Sequence, residues 1–170
     1  RIRICLHLYI PLQIKYYLQT MNRYIAALII IISFVQCTKQ ETEYSRILSR
    51  AAEMIEQHPD SSLSILNSLK LTSLTNKEER ASYALLKSMA LDKNYIDVTN
   101  DSLTSIALAY YQKHGTPDEK LKAYYYNGTV CLNDANYEGA MDNYIHAEEY
   151  VDDCEDYVSV GRLYNAKMMV

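Results

Sequence analysis

Chain breakers are scarce here: 170 residues hold 4 Gly and 3 Pro. An all-β domain needs a turn roughly every ten residues, so this shortage argues against one and favours long helices. Tryptophan is missing and there is 1 Phe, whereas Tyr reaches 17. Tyrosine packs its ring while its hydroxyl reaches water, which suits thin architectures whose helices are each half exposed. The 4 cysteines, Cys5, Cys37, Cys131 and Cys154, form no CxxC pair and no Cys/His ligand spacing. No HExxH, GxSxG or Gly-rich phosphate loop occurs either. The sequence therefore predicts no catalytic residue, no metal site, no cofactor and no enzyme.

Charge is unevenly placed. Arg1, Arg3, Lys15 and Arg23 precede Cys37 with no acid among them, which leaves 13 of the 17 basic residues against all 21 acids in the remainder, a net −8. An acidic body repels phosphate backbones, so nucleic acid is not an expected partner.

Residues 1–20 are read as an upstream extension outside the native fold. From Met21, MNRYIAALIIIISFVQC has one basic residue, a 12-residue apolar run from Tyr24 to Val35, and then Cys37. That run is short for a membrane span and fits a signal-peptide core. A cysteine closing such a run resembles the lipobox of bacterial lipoproteins, although Gln36 stands where a small residue is favoured. The resemblance implies lipidation at Cys37, a 21–37 signal segment, a 38–43 tether and an exported, membrane-anchored location. An inner-membrane signal anchor is the alternative.

Beyond the tether, tyrosines recur at Tyr44, Tyr83, Tyr124 and Tyr164, spaced 39, 41 and 40 residues. Each opens an amphipathic stretch, and the first three are followed by a polar break and a second apolar-periodic stretch, as in SSLSILNSLKL and YEGAMDNYIHAEEYV. Helix starts fall at the breaks: Thr116-Pro117-Asp118-Glu119 has the form of a capping box, Thr75-Asn76-Lys77-Glu78 is a second candidate, Asp60 or Ser61 caps a third, and Asn100 or Asp101 a fourth. The expected fold is all-α, built of helix-turn-helix units over 44–170 and cut off within the fourth.

Lys122–Tyr150 resembles a tetratricopeptide repeat, with Tyr124, Gly128, Ala140, Tyr144 and Ala147 at the family's aromatic and small positions and Tyr137 opening the second helix. Asn127, Cys131 and Asp152 depart from the pattern. The resemblance implies antiparallel helix pairs stacked as a right-handed α-solenoid, preceded by a signal helix, with a grooved face that takes a protein or peptide partner. The groove positions it implies are Lys122, Tyr125, Thr129, Leu132 and Asn133, with Ala84, Ser88 and Asp92 before them and Arg162 and Asn165 after.

The remaining candidates have plain readings. His58, His114 and His146 lie in three separate units and read as solvated side chains. The acidic run Asp152, Asp153, Glu155 and Asp156 lacks the glycine turn of a calcium loop. Cys131 reads as a small buried hydrophobe, and a bridge to Cys154 would need Cα atoms within about 7 Å. The expected function is thus a non-catalytic, envelope-tethered scaffold that binds a protein or peptide. The alternative is the sensory half of a membrane-bound signalling or transcriptional regulator.

Overall fold

The structure is a computed structural model and describes Tyr17, Met21, Tyr24 and residues 42–170. The chain divides into two compact units, Arg1–Glu41 and Thr42–Val170. In the first, Tyr17, Met21 and Tyr24 are helical and exposed. Most of the proposed signal segment, Cys37 included, lies outside the described residues.

In the second unit seven α-helices succeed one another: α1 (Glu43–Met54), α2 (Pro59–Asn67), α3 (Lys77–Lys93), α4 (Thr104–His114), α5 (Pro117–Asn133), α6 (Tyr137–Glu148) and α7 (Tyr157–Lys167). Short 3₁₀ turns at Leu71–Ser73 and Val151–Asp153 precede α3 and α7. Among the described residues there is no strand, so the all-α expectation holds.

Local chemistry sets the helix starts. Thr116 caps α5 with both bonds of a capping box: its hydroxyl accepts from Glu119 N, and the Glu119 carboxylate accepts from Thr116 N at 2.9 Å. Asn76 caps α3 by accepting from Glu78 N at 2.9 Å, so the start lies one residue beyond the box expected at Thr75. At α2 the fixed φ of Pro59 sets the first turn, and His58, without a side-chain cap bond, stands at the N-cap in place of Asp60 or Ser61. At α4 the Asn100 carboxamide oxygen is spent on Ser102, 2.6 Å from its hydroxyl, and the helix begins only at Thr104.

These caps reveal a register that the tyrosine count misses. The N-caps of α3, α5 and α7 are Asn76, Thr116 and Asp156, each 40 residues from the next. Tyr124 and Tyr164 are equivalent in that register, but Ala84 holds the matching place in α3, and Tyr44 falls in the first turn of α1.

Apolar burial holds the helices together in two clusters. One joins α1 to α5 through Leu48, Leu66, Leu74, Ala81 and Ala107; the other joins α5 to α7 through Leu121, Tyr144 and Leu163. Fully burying a leucine such as Leu121 or Leu163 contributes about 2 kcal/mol. The polar atoms inside are satisfied locally: buried Ser62 donates to the Ala51 carbonyl at 2.8 Å, tying α2 to α1.

Candidate ligand cleft

Helix α3 turns Ser88 and Asp92 to one side, one turn apart, and α5 turns Tyr126, Thr129, Val130 and Asn133 to face them. The ten residues between α3 and α4 fold across the gap, adding Ile96, Val98 and Asn100, with Leu103 and Thr104 at the start of α4. The result is a shallow cleft that opens to solvent. Asn133 pins the roof by donating its amide to the Val98 carbonyl at 3.2 Å.

The three aliphatic hydroxyls of the cleft already donate to protein acceptors, whereas the Tyr126 hydroxyl and the Asn100 amide donate to no described residue. Ser88 donates to the Ala84 carbonyl at 2.9 Å, Thr129 to the Tyr125 carbonyl at 3.1 Å, and Thr104 to the Asn127 carboxamide oxygen at 2.8 Å. From Asn127 a chain of carboxamides continues to Asn143 at 2.9 Å and back to the Gly139 carbonyl at 2.7 Å, crossing from α5 to α6.

Asp92 differs from these. No described side chain hydrogen-bonds or ion-pairs with its carboxylate, and the cations whose charge reaches it, Lys93 and Arg162, are both held by Glu56 at 2.9 and 3.0 Å. Burial pushes the Asp92 carboxyl up, Lys93 and Arg162 oppose this, and the negative charge of Asp97 adds to it. Beside it, burial holds the Tyr126 phenol well above its usual range, with the charge of Asp92 acting in the same direction.

Of the ten groove residues inferred from the sequence, Ala84 is buried in the first apolar cluster and the other nine separate into two sets. Ser88, Asp92, Thr129 and Asn133 line the cleft together. Lys122 is drawn to Asp156 at 2.7 Å, at the start of α7. Arg162 forks onto Glu56 at 3.3 and 3.0 Å, a residue 106 positions away. Tyr125 is half-buried, with ring centroids 4.8 Å from Tyr126 and 5.9 Å from Tyr144; Leu132 packs into the second apolar cluster, and Asn165 is exposed on α7. Tyr126, Thr104 and the other roof residues were not singled out from the sequence, and Asn100 was named only as a helix cap. The alternation of Ile96 and Val98 with polar neighbours was the signal available for the roof.

The other candidates stay outside the cleft. His58, His114 and His146 are exposed, His146 beside Glu149 at 3.0 Å. Asp156 caps α7: burial pushes its carboxyl up, but bonds from Lys122 and Ser159 outweigh that and hold it far below the usual range. Cys131 and Cys154 are free thiols, and Cys131 is half-buried, short of the burial expected for it. Burial raises the Cys131 thiol, and burial together with Asp118 pushes Cys154 up to about 12, so neither is poised as a thiolate. Among the described residues no cluster of His, Cys, Asp or Glu could hold a metal ion.

Fold and cleft together define an all-α protein of packed helices with a solvent-open, partly polar cleft. The family model for Queuosine biosynthesis protein QueC matches residues 15–162, and the chain belongs to that family. Comparison with curated proteins and with solved structures found no significant match.

This finding corrects several expectations. The chain is assigned to the QueC family and not to the tetratricopeptide repeats. Three of the five positions that carried the repeat resemblance, Gly128, Ala140 and Tyr144, meet at one close helix contact. Gly128 and Ala140 are small where the Tyr144 ring lies: a Cβ on Gly128 would come within 2.5 Å of that ring and 3.1 Å of the Ala140 carbonyl. Such a pattern reports packing physics and is not specific to one family. A non-catalytic scaffold or a sensory half of a regulator is likewise set aside, and so is the non-enzyme expectation, because the family is one of biosynthesis proteins. The exported lipoprotein location falls too, since the match runs through residues 21–37, the stretch assigned to a signal segment. Among the described residues no helix is long and apolar enough to cross a membrane.

Proposed function

We propose that this protein acts in queuosine biosynthesis and that its helical body serves by holding a small-molecule ligand in the cleft between α3, α4 and α5. The family match over residues 15–162 carries the pathway assignment. The cleft supports the mode of action: its walls are mostly apolar, and its few polar groups converge. Its residues bind and orient. Neither Ser88 nor the two threonines has a base in hydrogen-bond reach, so the lining supplies no activated nucleophile.

The pairs α1/α2, α3/α4 and α5/α6 are further proposed to stack as successive helical hairpins, with α7 opening another. The 40-residue register of the N-caps supports this reading.

The test is genetic and analytical. Deleting the gene in its own host should remove queuosine from hydrolysed total RNA, read by mass spectrometry of nucleosides. Wild-type protein should restore it, and Asp92→Leu should restore markedly less. The fold should tolerate that variant, because Leu132 occupies the same register in the next helix pair. Unchanged queuosine after deletion would sink the assignment.

A further inference from the structure

Apolar packing joins the first and last helices only through what lies between them. No buried residue of α7 belongs to the first apolar cluster, and none of α1 belongs to the second. Helix α5 supplies buried residues to both, Ala123 and Tyr126 to one and Leu121 to the other. Polar contacts fix α7 to its neighbours: Asp118 of α5 accepts from the Glu155 and Asp156 N–H groups at 3.1 and 3.0 Å, Lys122 pairs with Asp156, and Lys167 pairs with Glu148 of α6.

A further contact reaches beyond them. Arg162, midway along α7, forks onto the Glu56 carboxylate just past the end of α1, at 3.3 and 3.0 Å. Lys93, the last residue of α3, meets the same carboxylate at 2.9 Å. Glu56 is 51 % exposed, so water and salt reach this contact and screen it. The charge of Arg162 also reaches the Tyr125 and Tyr126 phenols and Asp92, which places the contact beside the face that α3 and α5 share.

We infer that Glu56, Arg162 and Lys93 form a salt-sensitive latch between the first and last helices, whose release lets the α5–α7 end move away from α1 and bares the inner face at Tyr125, Tyr126 and Asp92. With the fork broken, no shared apolar cluster holds α1 to α7. Small sliding at the seams between α3, α4 and α5 then adds up at the two ends. An exposed ion pair biases such an equilibrium by roughly two- to fivefold, so salt alone is enough to shift it. The bidentate fork and the second cation place this contact at the upper end of that range.

The inference rests on this packing and not on the cleft or the pathway. The test is the distance between α1 and α7, read by double electron–electron resonance on the full chain. Nitroxides are attached through p-acetylphenylalanine introduced at the exposed positions Ser49 and Asn165, which leaves the native cysteines in place. Wild type, Glu56→Gln, Arg162→Gln and the double variant are compared between about 0.01 M and 1 M salt, over which the screening length falls from about 30 to 3 Å. Wild type should show mainly a short distance at low salt, with a minor longer component that grows about two- to fivefold at high salt. The three variants should show the larger long component already at low salt, in nearly equal measure and with no further response to salt. Should Glu56→Gln lose helix by circular dichroism, Arg162→Gln decides. A single distance that neither salt nor substitution changes overturns the latch. So does a salt response that persists in the variants, or a long component gained by the variants while wild type ignores salt.

Discussion

Helices α3 and α5 share a length of 17 residues and a 40-residue offset between their N-caps, Asn76 and Thr116. They also end alike: the Ile96 N–H reaches back to Leu91 O at 3.0 Å and Asn136 N–H to Cys131 O at 2.8 Å, the same capping turn in both. Their connectors differ. Three residues separate α5 from α6, and Asn136 immediately caps the new helix. Ten residues separate α3 from α4 and bow outward as the roof of the cleft. The side chains agree with this difference. At one register position Gly128 lets the Tyr144 ring lie against the α5 backbone, while its counterpart Ser88 opens onto the cleft. One turn on, Leu132 joins the apolar core where Asp92 lines the cavity. A closed seam and an open cleft thus arise from one helix-pair plan by altering connector length and two side chains.

The largest expected effect breaks the closed seam. A Cβ at residue 128 would sit 2.5 and 2.8 Å from the ring of Tyr144, which is 0 % exposed and has nowhere to move. Gly128→Ala gains about 1 kcal/mol of helix propensity and loses more to overpacking, for a net cost of about 2 kcal/mol. Ser88→Ala removes only a local bond to Ala84 O on the cleft side and should change stability by under about 0.5 kcal/mol. Urea denaturation of the two variants tests the contrast; equal costs would show that the two seams pack alike.

The helical class was legible in the sequence because it depends on local chemistry: few breakers, apolar periodicity, and the Thr116–Glu119 box, whose two bonds both form. Caps without such reciprocal bonds moved by one to three residues, as at Asn76 and Leu103. Of the site, Ser88, Asp92, Thr129 and Asn133 were named only as groove positions implied by the repeat resemblance; residues a turn apart share a face, so the four meet although that family assignment fell. The ion pair of Arg162 was not legible, because its partner Glu56 lies 106 residues away and no periodicity encodes that encounter. The roof was missed for a related reason: a connector's path is fixed by contacts such as Asn133 with Val98 O, not by its own pattern. The family was illegible in motifs, as the match extends over residues 15–162 and does not rest on any of the short patterns sought.

A middle-sized effect tests whether the ion pairs that draw cations away from Asp92 also steady the fold. Hydrogen bonding from Arg162, opposed by burial and helped by Lys93, lowers the Glu56 carboxyl from 4.5 to about 2. A depressed carboxylate stabilises the folded state above its unfolded pKa, and the contribution is lost as pH falls through the folded value. The difference in unfolding free energy between wild type and Glu56→Gln should therefore be constant near neutrality and shrink between pH 4.5 and about 2. Glu56 is half exposed, so solvent screening holds the neutral-pH difference to about 1 kcal/mol, and added salt should reduce it. A pH-independent difference would assign the loss to packing and not to charge.

The smallest effect concerns the shared helix ends. Tyr95 and Ala135 occupy the left-handed region at φ 57° and 58°, and both are exposed. An L-residue there costs about 1–2 kcal/mol that glycine does not incur, whereas glycine costs roughly 0.5–1 kcal/mol of extra chain entropy on folding. Tyr95→Gly and Ala135→Gly should each stabilise the protein by about 0.5 kcal/mol, a rise of a degree or two in Tm for a chain of this size. The two gains should match if the two turns are equivalent. If Tyr95→Gly instead lowers Tm while Ala135→Gly raises it, the Tyr95 side chain helps to fix the roof. The open half of the comparison would then depend on that residue as well as on connector length.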